Sequence, residues 1–286
     1  MPQVSIQSIR LKNFKRFDNF YLSARHGNVL VGLNNSGKSS LLDALRVAQS
    51  CLRFARTGAP RPIDIPKSGP VLGYYLPVAS LPIPIANVAT NYSEDDAIIE
   101  VRCTNGNTLV VRLNPEKQPI FYCDTERDSP RTSNAFRKAI PLDLVVVPPL
   151  GPFEEFEQIV TDETIRRNEA SRLSNRYFRH IWLRKEREEF DELLALLHET
   201  WPGIEIKRPE VARDGARVLL QMFYSESRID RELYWAGFGF QVWLQMLTHV
   251  LRGSNESILV LDEPDIYLHP DLQRRFGLHP VLLTPA

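Results

Sequence analysis

Alternating apolar and polar residues mark the start of the chain as β-structure. Over residues 4–14 the alternation has a single slip in register, which predicts a strand, and a second short strand is predicted over residues 20–23. The apolar run at residues 28–31 predicts a further strand that leads straight into a glycine-containing loop. Residues 40–48 then carry apolar side chains at helical spacing, which predicts an amphipathic helix after that loop.

The middle of the chain changes composition and then returns to strands. Residues 60–84 contain seven prolines. Because proline fixes φ and has no backbone N–H, this stretch is predicted to be an irregular surface excursion rather than sheet or helix. Residues 97–113 have the pattern of a β-hairpin with its turn at Asn105-Gly106, and residues 120–122 predict a third strand beside it.

The second half is predicted to contain helices and further strands. Helices are predicted over residues 154–201, and Pro202-Gly203 is predicted to end the last of them. A further helix is predicted over residues 240–251. Strands are predicted over residues 142–147, 204–206, 216–224 and 257–261. The last of these is a continuous apolar run of the kind that is buried on both faces of a sheet in α/β proteins. The sequence shows no internal repeat and no heptad run.

Composition limits the class of protein and its surroundings. The 286 residues are 43% hydrophobic and 24% charged with a formal net charge of zero, which predicts a folded protein without a global attraction to nucleic acid or anionic membrane. The three cysteines are far apart, which fits a reducing compartment and argues against a disulfide scaffold or zinc site. The sequence has neither a signal peptide pattern nor a membrane-length apolar run, so a cytoplasmic location is expected.

The glycine loop has the pattern of a phosphate-binding loop. Gly32, Gly37, Lys38 and Ser39 satisfy GxxxxGK[ST] between a predicted strand and a predicted helix. The glycines allow backbone N–H groups to surround a phosphate, and the helix directs its positive end at the same anion. Lys38 can reach the terminal phosphates, and the hydroxyl of Ser39 is a suitable ligand for Mg²⁺.

A second acidic motif ends the strand predicted at residues 257–261. Asp262 and Glu263 follow this strand directly. In P-loop ATPases such a position holds a magnesium-linked acid, so Asp262 is predicted to hold Mg²⁺ and Glu263 to activate the attacking water. An acidic turn before Pro264 is the structural alternative.

Because it contains both the glycine loop and the acidic pair, the chain resembles the ABC-type ATPase heads of the RecF, SMC and OLD-family group. Three stretches carry the resemblance: residues 9–17, residues 32–44 and residues 262–270. It implies an α/β P-loop NTPase fold with a β-rich first lobe, a hairpin arm and a helical insert. It also implies ATP and Mg²⁺ as ligands. The residues predicted to contact the nucleotide are Gly32, Asn34, Asn35, Ser36, Gly37, Lys38, Ser39, Ser40 and Arg16.

The resemblance further implies that two heads form a dimer around ATP. Such heads contribute a signature loop to the partner's nucleotide, and Gly237, Gly239 and Gln241 have the GxGxQ spacing of that loop. The residue between the glycines is usually a small hydroxyl residue, and here it is Phe238, which cannot donate a hydrogen bond. The structural alternative is a glycine-bearing helix start.

The domain boundaries follow from the motifs. We expect an ATPase lobe over residues 1–150, a helical insert over residues 151–203, and the signature helix and acidic strand of the same head over residues 204–286. The family's head continues past the acidic strand to a switch histidine. Neither His269 nor His279 fits that role, so a C-terminally shortened head is expected.

A basic region in the predicted insert allows two interpretations. Arginines and aromatic residues cluster there, which fits contact with a DNA backbone. Glutamates are interleaved with them, which fits a solvated helix with internal ion pairs. The arginines considered for DNA are Arg166, Arg167, Arg172, Arg176 and Arg179. The functions left open are an ATPase in DNA repair or anti-phage defence and an ATP-responsive regulatory subunit that controls a partner nuclease.

Overall fold

The structure is a computed structural model that describes residues 4–25, 28, 30–33, 35–65, 69–126, 128–168, 174–215, 217–252 and 257–263. The chain divides into two compact units. Unit 1 comprises Met1–Val146 with Glu256–Val260, and unit 2 comprises Val147–Asn255 with Leu261–Ala286. The chain therefore leaves unit 1, forms most of unit 2 and returns to unit 1 with a single strand.

The described residues form strands and helices in both units. The strands are β1 (Ile6–Phe14), β2 (Phe17–Ser23), β3 (Arg61–Ile65), β4 (Gly69–Tyr75), β5 (Ala97–Cys103), β6 (Thr108–Leu113), β7 (Ile120–Asp124), β8 (Asp143–Val147), β9 (Glu157–Gln158), β10 (Ile204–Ile206), β11 (Glu210–Asp214), β12 (Arg217–Gln221), β13 (Phe223–Glu226), β14 (Ile229–Glu232) and β15 (Ser257–Leu261). The helices are α1 (Lys38–Thr57), α2 (Ser133–Ala139), α3 (Asp162–Asn168), α4 (Phe178–Arg184), α5 (Arg187–Thr200) and α6 (Phe238–Arg252).

Unit 1 is built on a seven-stranded sheet in the order β2-β1-β5-β6-β7-β4-β3. Each neighbouring pair is antiparallel. Inward side chains alternate with solvent-facing ones, as the period of two in β-structure requires. The inward face shares one apolar core with α1, in which Leu11, Val101 and Val111 of the sheet lie with Val47 and Cys51 of the helix.

The predicted hairpin at residues 97–113 is confirmed. Strands β5 and β6 pair from Ala97↔Leu113 to Arg102↔Thr108, and Gly106 has the positive φ of 89° that this tight turn needs. The hairpin lies in the middle of the sheet, between β1 and β7, rather than at an edge. It is therefore a central part of the core of unit 1.

The prediction of an irregular segment over residues 60–84 is wrong for its first half. Strands β3 and β4 occupy Arg61–Ile65 and Gly69–Tyr75. Their prolines are tolerated because β3 is the edge strand, where Pro62 lies, and because β4 pairs with β7 only at Gly73–Tyr75, beyond Pro70. Only the later part of the segment, with the single-turn helix at Val78–Ser80, is irregular as predicted.

The strand predicted at residues 28–31 is absent from the described part of that segment. The side chain of Asn28 instead makes two hydrogen bonds with the backbone of Arg25. Leu30 and Val31 are exposed, Val31 by 90%. An apolar run predicts a buried strand only where neighbouring strands complete its ladder, and these residues pair with no described strand.

The strands predicted at residues 142–147 and 257–261 are both present and pair with each other. Strands β8 and β15 form a two-stranded sheet. Immediately after β15 the backbone N–H of Asp262 donates to the carbonyl oxygen of Val147, the last residue of β8, at 3.3 Å. The carboxyl ends of the two strands therefore lie side by side, as in a parallel pair.

Unit 2 combines helices with two three-stranded sheets, β10-β13-β14 and β11-β12-β9. The predicted helical stretch over residues 154–201 contains α3, α4 and α5, and the apolar helix predicted at residues 240–251 is α6. The core between these helices is aromatic. Trp182 of α4 donates to Thr248 of α6, and Trp243 of α6 donates to Thr200 of α5, each at 3.0 Å. Across the described residues, no helix is long and apolar enough to cross a membrane.

Candidate functional site

The glycine loop adopts a conformation that favours glycine at Gly37. Gly37, just before α1, has a φ of 101°, and a Cβ atom there would lie 2.4 Å from Cζ of Phe17. A Cβ atom on Gly32 would lie 2.7 Å from Oγ of Ser36, a side-chain atom that can rotate away. Gly37 is thus required by the observed backbone, and the left-handed φ of 66° at Asn35 completes the tight turn. Asn34 lies outside the described residues.

The N-terminus of α1 is left open to an anion. The residue before the helix, Gly37, provides no side-chain cap, and the first turn has no acidic residue. Helix α5 shows the usual alternative, because Glu186 forms a capping box and Glu188 and Glu189 follow in its first turn. The positive end of α1 therefore has room for a phosphate, which fits the chemistry of this loop.

The side chain of Lys38 folds back onto the glycine loop. Its ammonium group donates to the carbonyl oxygen of Gly32 and, at 3.2 Å, to that of Leu33. The next hydroxyl, Ser39, is exposed, Ser36 is also exposed, and Ser40 is partly buried. The Ser39 residue that the motif predicts is therefore accessible, whereas the ammonium group of the partly buried Lys38 is held by loop carbonyls.

The turn between β1 and β2 is fixed against the first turns of α1. Lys15 donates to Asp43 of α1, and Arg46 donates to the other carboxylate oxygen at 2.8 Å. The ring of Phe17 covers Gly37, as described above. Arg16 is exposed between Lys15 and Phe17. No role is predicted from the sequence for Lys15 or Phe17, although both lie in the opening stretch that resembles the family's first strand.

Gly37→Ala is expected to weaken nucleotide binding about tenfold. The new Cβ would force Phe17 away and strain the backbone at positive φ, at a cost of roughly 1–2 kcal/mol. Titration of the full chain with ATP in a calorimeter measures the change. Gly151→Ala is the control, because its Cβ would meet only the Asn175 side chain at 3.6 Å. Equal affinity in both variants would contradict the requirement for glycine.

The strand that carries the acidic pair belongs to the core of unit 1. Ile258 and Val260 of β15 pack against the cluster that contains Leu41, Ala44 and Leu45 of α1. The helix of the glycine motif and the strand of the acidic motif therefore share one core.

The acidic pair follows this strand directly. Asp262 is partly buried and Glu263 is exposed, with a φ of 49° at Glu263. The described residues contain no group of three or more His, Cys, Asp or Glu side chains that could hold a metal ion by themselves.

These two motifs agree with a comparison of the sequence with protein families. The model of a family described as "AAA domain, putative AbiEii toxin, Type IV TA system" matches residues 28–282, which include the glycine loop and the acidic pair. The chain belongs to this family. It is an ATPase of the AAA type, and its fold is that of an ABC-type P-loop ATPase head.

Solved structures are similar to this AAA protein in fold. The recombination mediator protein RecF of the RecFOR pathway, in its RecF-ATPrS form, matches with a TM-score of 0.55 and 12% identity over 99% of this chain and 91% of that chain. The RecF-ATP form matches with a TM-score of 0.50 and 11% identity over 99% of this chain and 92% of that chain. A comparison with curated proteins gave no significant match. The resemblance to RecF-type heads predicted from the sequence is confirmed at the level of fold.

The predicted signature loop of this AAA protein lies at the start of α6 in unit 2. Gly237 is exposed, Phe238 is 53% exposed and Gly239 is partly buried. Gln241 is fully buried. Its oxygen accepts from the N–H of Phe153 at 2.7 Å, and its amide donates to the carbonyls of two residues that precede Gly237, at 2.8 Å each. Gln241 therefore holds the loop from inside, and the exposed positions are those at Gly237 and Phe238.

Arg179 is not a DNA contact, contrary to one of the two interpretations of the basic region. Its side chain is only 1% exposed. Its guanidinium donates twice to Oε1 of Glu232, at 2.9 and 2.7 Å, and once to the carbonyl oxygen of Glu154 at 3.1 Å. The second carboxylate, Glu157, lies 3.5 Å away. The positive charge of Arg179 is thus neutralised within unit 2, because the buried Glu157 and the partly buried Glu232 lie beside its guanidinium group.

The side chain of Glu157 caps the N-terminal turn of α4. Its carboxylate accepts the backbone N–H groups of Arg179 at 2.9 Å and His180 at 2.7 Å. Burial raises the pKa of Glu157 to about 7, and these hydrogen bonds and the nearby guanidinium of Arg179 oppose the rise. Glu157 is only 2% exposed, which is the physical cause of this rise.

Two other described arginines of the basic region are at least partly neutralised. Arg176 is half exposed and pairs with Glu154 at 2.9 Å, and Arg184 pairs with Asp162. Arg172 and the side chains of Arg166 and Arg167 lie outside what the structure describes. The ion-paired interpretation therefore accounts for Arg176, Arg179 and Arg184.

Arg179→Ala is expected to destabilise unit 2 by about 3–5 kcal/mol, because it leaves buried carboxylates without their cation. All four tryptophans of the chain lie in unit 2, so denaturant unfolding followed by tryptophan fluorescence reports on this unit. Arg176→Ala removes an exposed ion pair and is expected to cost less than about 1 kcal/mol. Similar losses in the two variants would show that Arg179 is not the structural residue described here.

Proposed function

We propose that the chain binds ATP with Mg²⁺ at the glycine loop and hydrolyses it slowly. The observation that carries the proposal is the loop itself. Gly37 is required by the backbone, and the loop leads into an uncapped helix end beside Lys38 and the exposed Ser39. This combination fits a triphosphate.

The residue roles follow from their chemistry. Backbone N–H groups around Asn35 and Gly37 bind phosphate oxygens, and Lys38 offsets charge on the β- and γ-phosphates. The hydroxyl of Ser39 and the carboxylate of Asp262 are the oxygen ligands that would hold Mg²⁺, which offsets further phosphate charge when bound. Arg16 lies at the edge of the same loop and is proposed to contact the nucleotide.

Glu263 is proposed as the general base. A water oxygen attacks the γ-phosphorus, the bond from that phosphorus to the bridging oxygen breaks, and ADP leaves. Glu263 takes a proton from the attacking water. Its exposed position at the end of β15 leaves the carboxylate accessible to such a water.

We also propose that two heads associate around the nucleotide. The exposed backbone at Gly237 and the N-terminus of α6 supply N–H groups suited to a partner's γ-phosphate. Trp235 is 72% exposed and Phe238 53% exposed, and apolar rings at the start of a helix favour a protein contact. Gln241 supports this surface from within rather than touching the nucleotide.

The biological setting we propose is DNA repair or anti-phage defence. The likeness to the recombination mediator RecF favours the first, and the family description, a putative toxin of a type IV toxin–antitoxin system, favours a defence role. DNA contact is proposed for the basic region through Arg166, Arg167 and Arg172, since Arg179 is buried and Arg176 is paired.

An ATP-responsive regulatory subunit that controls a partner nuclease is the second candidate. Phe238 favours it, because a phenyl ring takes the place of a hydroxyl that would bond the partner's γ-phosphate. Such a subunit binds ATP tightly with little turnover.

The deciding experiment measures ATP affinity, steady-state turnover and mass in solution on the full chain. The ATPase proposal expects turnover that increases more than linearly with protein concentration and a dimer that appears with ATP. Micromolar binding with no turnover above background supports the regulatory subunit. Absence of ATP binding contradicts both.

A further inference from the structure

The two carboxylate oxygens of Glu232 bind different parts of unit 2. Its Oε1 accepts from Nε and Nη2 of the buried Arg179 at 2.9 and 2.7 Å, and from the backbone N–H of Met222 at 3.3 Å. Its Oε2 accepts the backbone N–H of Tyr234 at 2.6 Å. Glu232 ends β14, and Tyr234 lies in the single-turn helix Leu233–Trp235 that follows. One side chain therefore joins the buried arginine to this turn.

Gln241 holds the same turn through its carbonyl groups. The side-chain amide of Gln241 donates to the carbonyl oxygens of Tyr234 and Ala236, each at 2.8 Å. Both backbone polar groups of Tyr234 are thus bound by side chains, the N–H by Glu232 and the carbonyl by Gln241. A backbone that is hydrogen-bonded in this way has little local freedom left to lose.

The Leu233–Trp235 turn leads directly into the exposed part of the predicted signature loop. Trp235 is 72% exposed and Phe238 is 53% exposed, whereas Leu233 and Ala236 are buried. The two exposed rings gain little burial from their own chain, yet the backbone between them is anchored, in part by a hydrogen bond to a charged carboxylate. Exposed aromatic rings on a fixed backbone have the properties of a preorganised protein contact.

We infer that Glu232 is a positioning residue for the association of two heads, because it fixes the turn that carries Trp235 and leads to Gly237. This inference rests on the proposed association around ATP. Glu232 acts through the turn and not by touching the nucleotide. The two hydrogen bonds from Arg179 keep its carboxylate in place. A turn that is fixed before association reduces the entropy lost when the dimer forms.

Glu232→Gln tests this role in the full chain. Glutamine has nearly the same shape but only one acceptor oxygen, so it cannot serve both the Tyr234 N–H and the Arg179 guanidinium. The dissociation constant of the dimer, measured by sedimentation with ATP and Mg²⁺, is expected to rise about tenfold. The ATP affinity of dilute monomer, measured by calorimetry, is expected to stay unchanged, because the glycine loop lies in unit 1.

Two further variants separate positioning from stability. Glu157 lies 3.5 Å from the same guanidinium but caps α4, so Glu157→Gln is expected to lose stability and keep the dimer of the parent. Glu232→Asp retains a charged acceptor for the N–H two residues ahead, as aspartate does at helix starts, and is expected to dimerise like the parent. Denaturant unfolding followed by tryptophan fluorescence checks that each variant is folded.

The opposite results overturn the inference. Equal dimerisation of Glu232→Gln and the parent means that the turn does not need this carboxylate. Equal weakening in Glu232→Gln and Glu157→Gln assigns the effect to the stability of unit 2, and equal weakening in Glu232→Asp and Glu232→Gln removes the role of the cap on Tyr234. A parent chain that binds ATP but stays monomeric contradicts the proposed association and this inference with it, whereas a parent chain that binds no ATP contradicts the proposed function as a whole.

Discussion

Lys38→Ala is expected to weaken ATP binding by about a hundredfold and to abolish turnover in the full chain. Lys38 is the one side chain of the glycine motif that places a full positive charge at the loop, where it bonds the Gly32 carbonyl. Losing hydrogen bonds from a charged donor costs about 1.5–3 kcal/mol each, and the lost neutralisation of phosphate charge adds to that. Calorimetry with ATP gives the affinity and phosphate release gives the turnover.

The control for this variant is Lys117→Ala. Lys117 is an exposed lysine of the same unit that lies 3.8 Å from Asp96. Its removal changes the net charge of unit 1 by the same amount without touching the glycine loop. If the two variants bind ATP equally well, Lys38 does not contact phosphate and the proposed site is wrong.

Glu263→Gln is expected to lower ATP turnover by about 10²–10⁴-fold while ATP affinity stays within a few-fold of the parent. Glutamine has nearly the same shape but cannot accept the proton of the attacking water. The variant should therefore accumulate bound ATP and, if heads associate around it, a longer-lived dimer. Single-turnover phosphate release measures the loss of hydrolysis, and mass measurement in solution with ATP detects the longer-lived dimer.

Glu155→Gln tests whether any exposed glutamate has this effect. Glu155 lies in unit 2, is exposed, and is expected to leave turnover unchanged. Retained turnover in Glu263→Gln would remove Glu263 from the role of base. If the parent chain itself binds ATP without turnover, the regulatory subunit is the better description and this variant should match the parent.

Local pattern was enough to predict most elements of both units. The hairpin at residues 97–113 has an Asn-Gly turn between two strands rich in β-branched residues, β8 and β15 are short apolar runs, and α6 has apolar residues at helical spacing, so their type follows from their own residues. The two glycines, Lys38 and Ser39 were found for the same reason, since the phosphate loop is a contiguous motif whose backbone needs are encoded locally.

The remaining features depend on contacts between distant residues. Pro62 and Pro70 argue against strands when only the sequence is considered. The fold permits them because β3 is an edge strand and because the pairing of β7 with β4 does not reach Pro70. From the sequence alone, Arg179 of α4 cannot be told from a surface arginine. It is a core residue because Glu157 of β9 and Glu232 of β14 lie beside it in the fold. Phe17 looks like an ordinary strand residue until its ring is found over Gly37.

The return of β15 to unit 1 has a consequence for the synthesis of the protein. Its partner β8 leaves the ribosome about 110 residues earlier, and everything in between belongs to unit 2. Pairings so distant in sequence form late, because the intervening loop must first be closed. The nascent chain can therefore fold the antiparallel sheet early, but it acquires the acidic pair only after nearly all of unit 2 has emerged. Competence to hydrolyse ATP is thus expected only after β15 and the acidic pair have been synthesised and β15 has paired with β8.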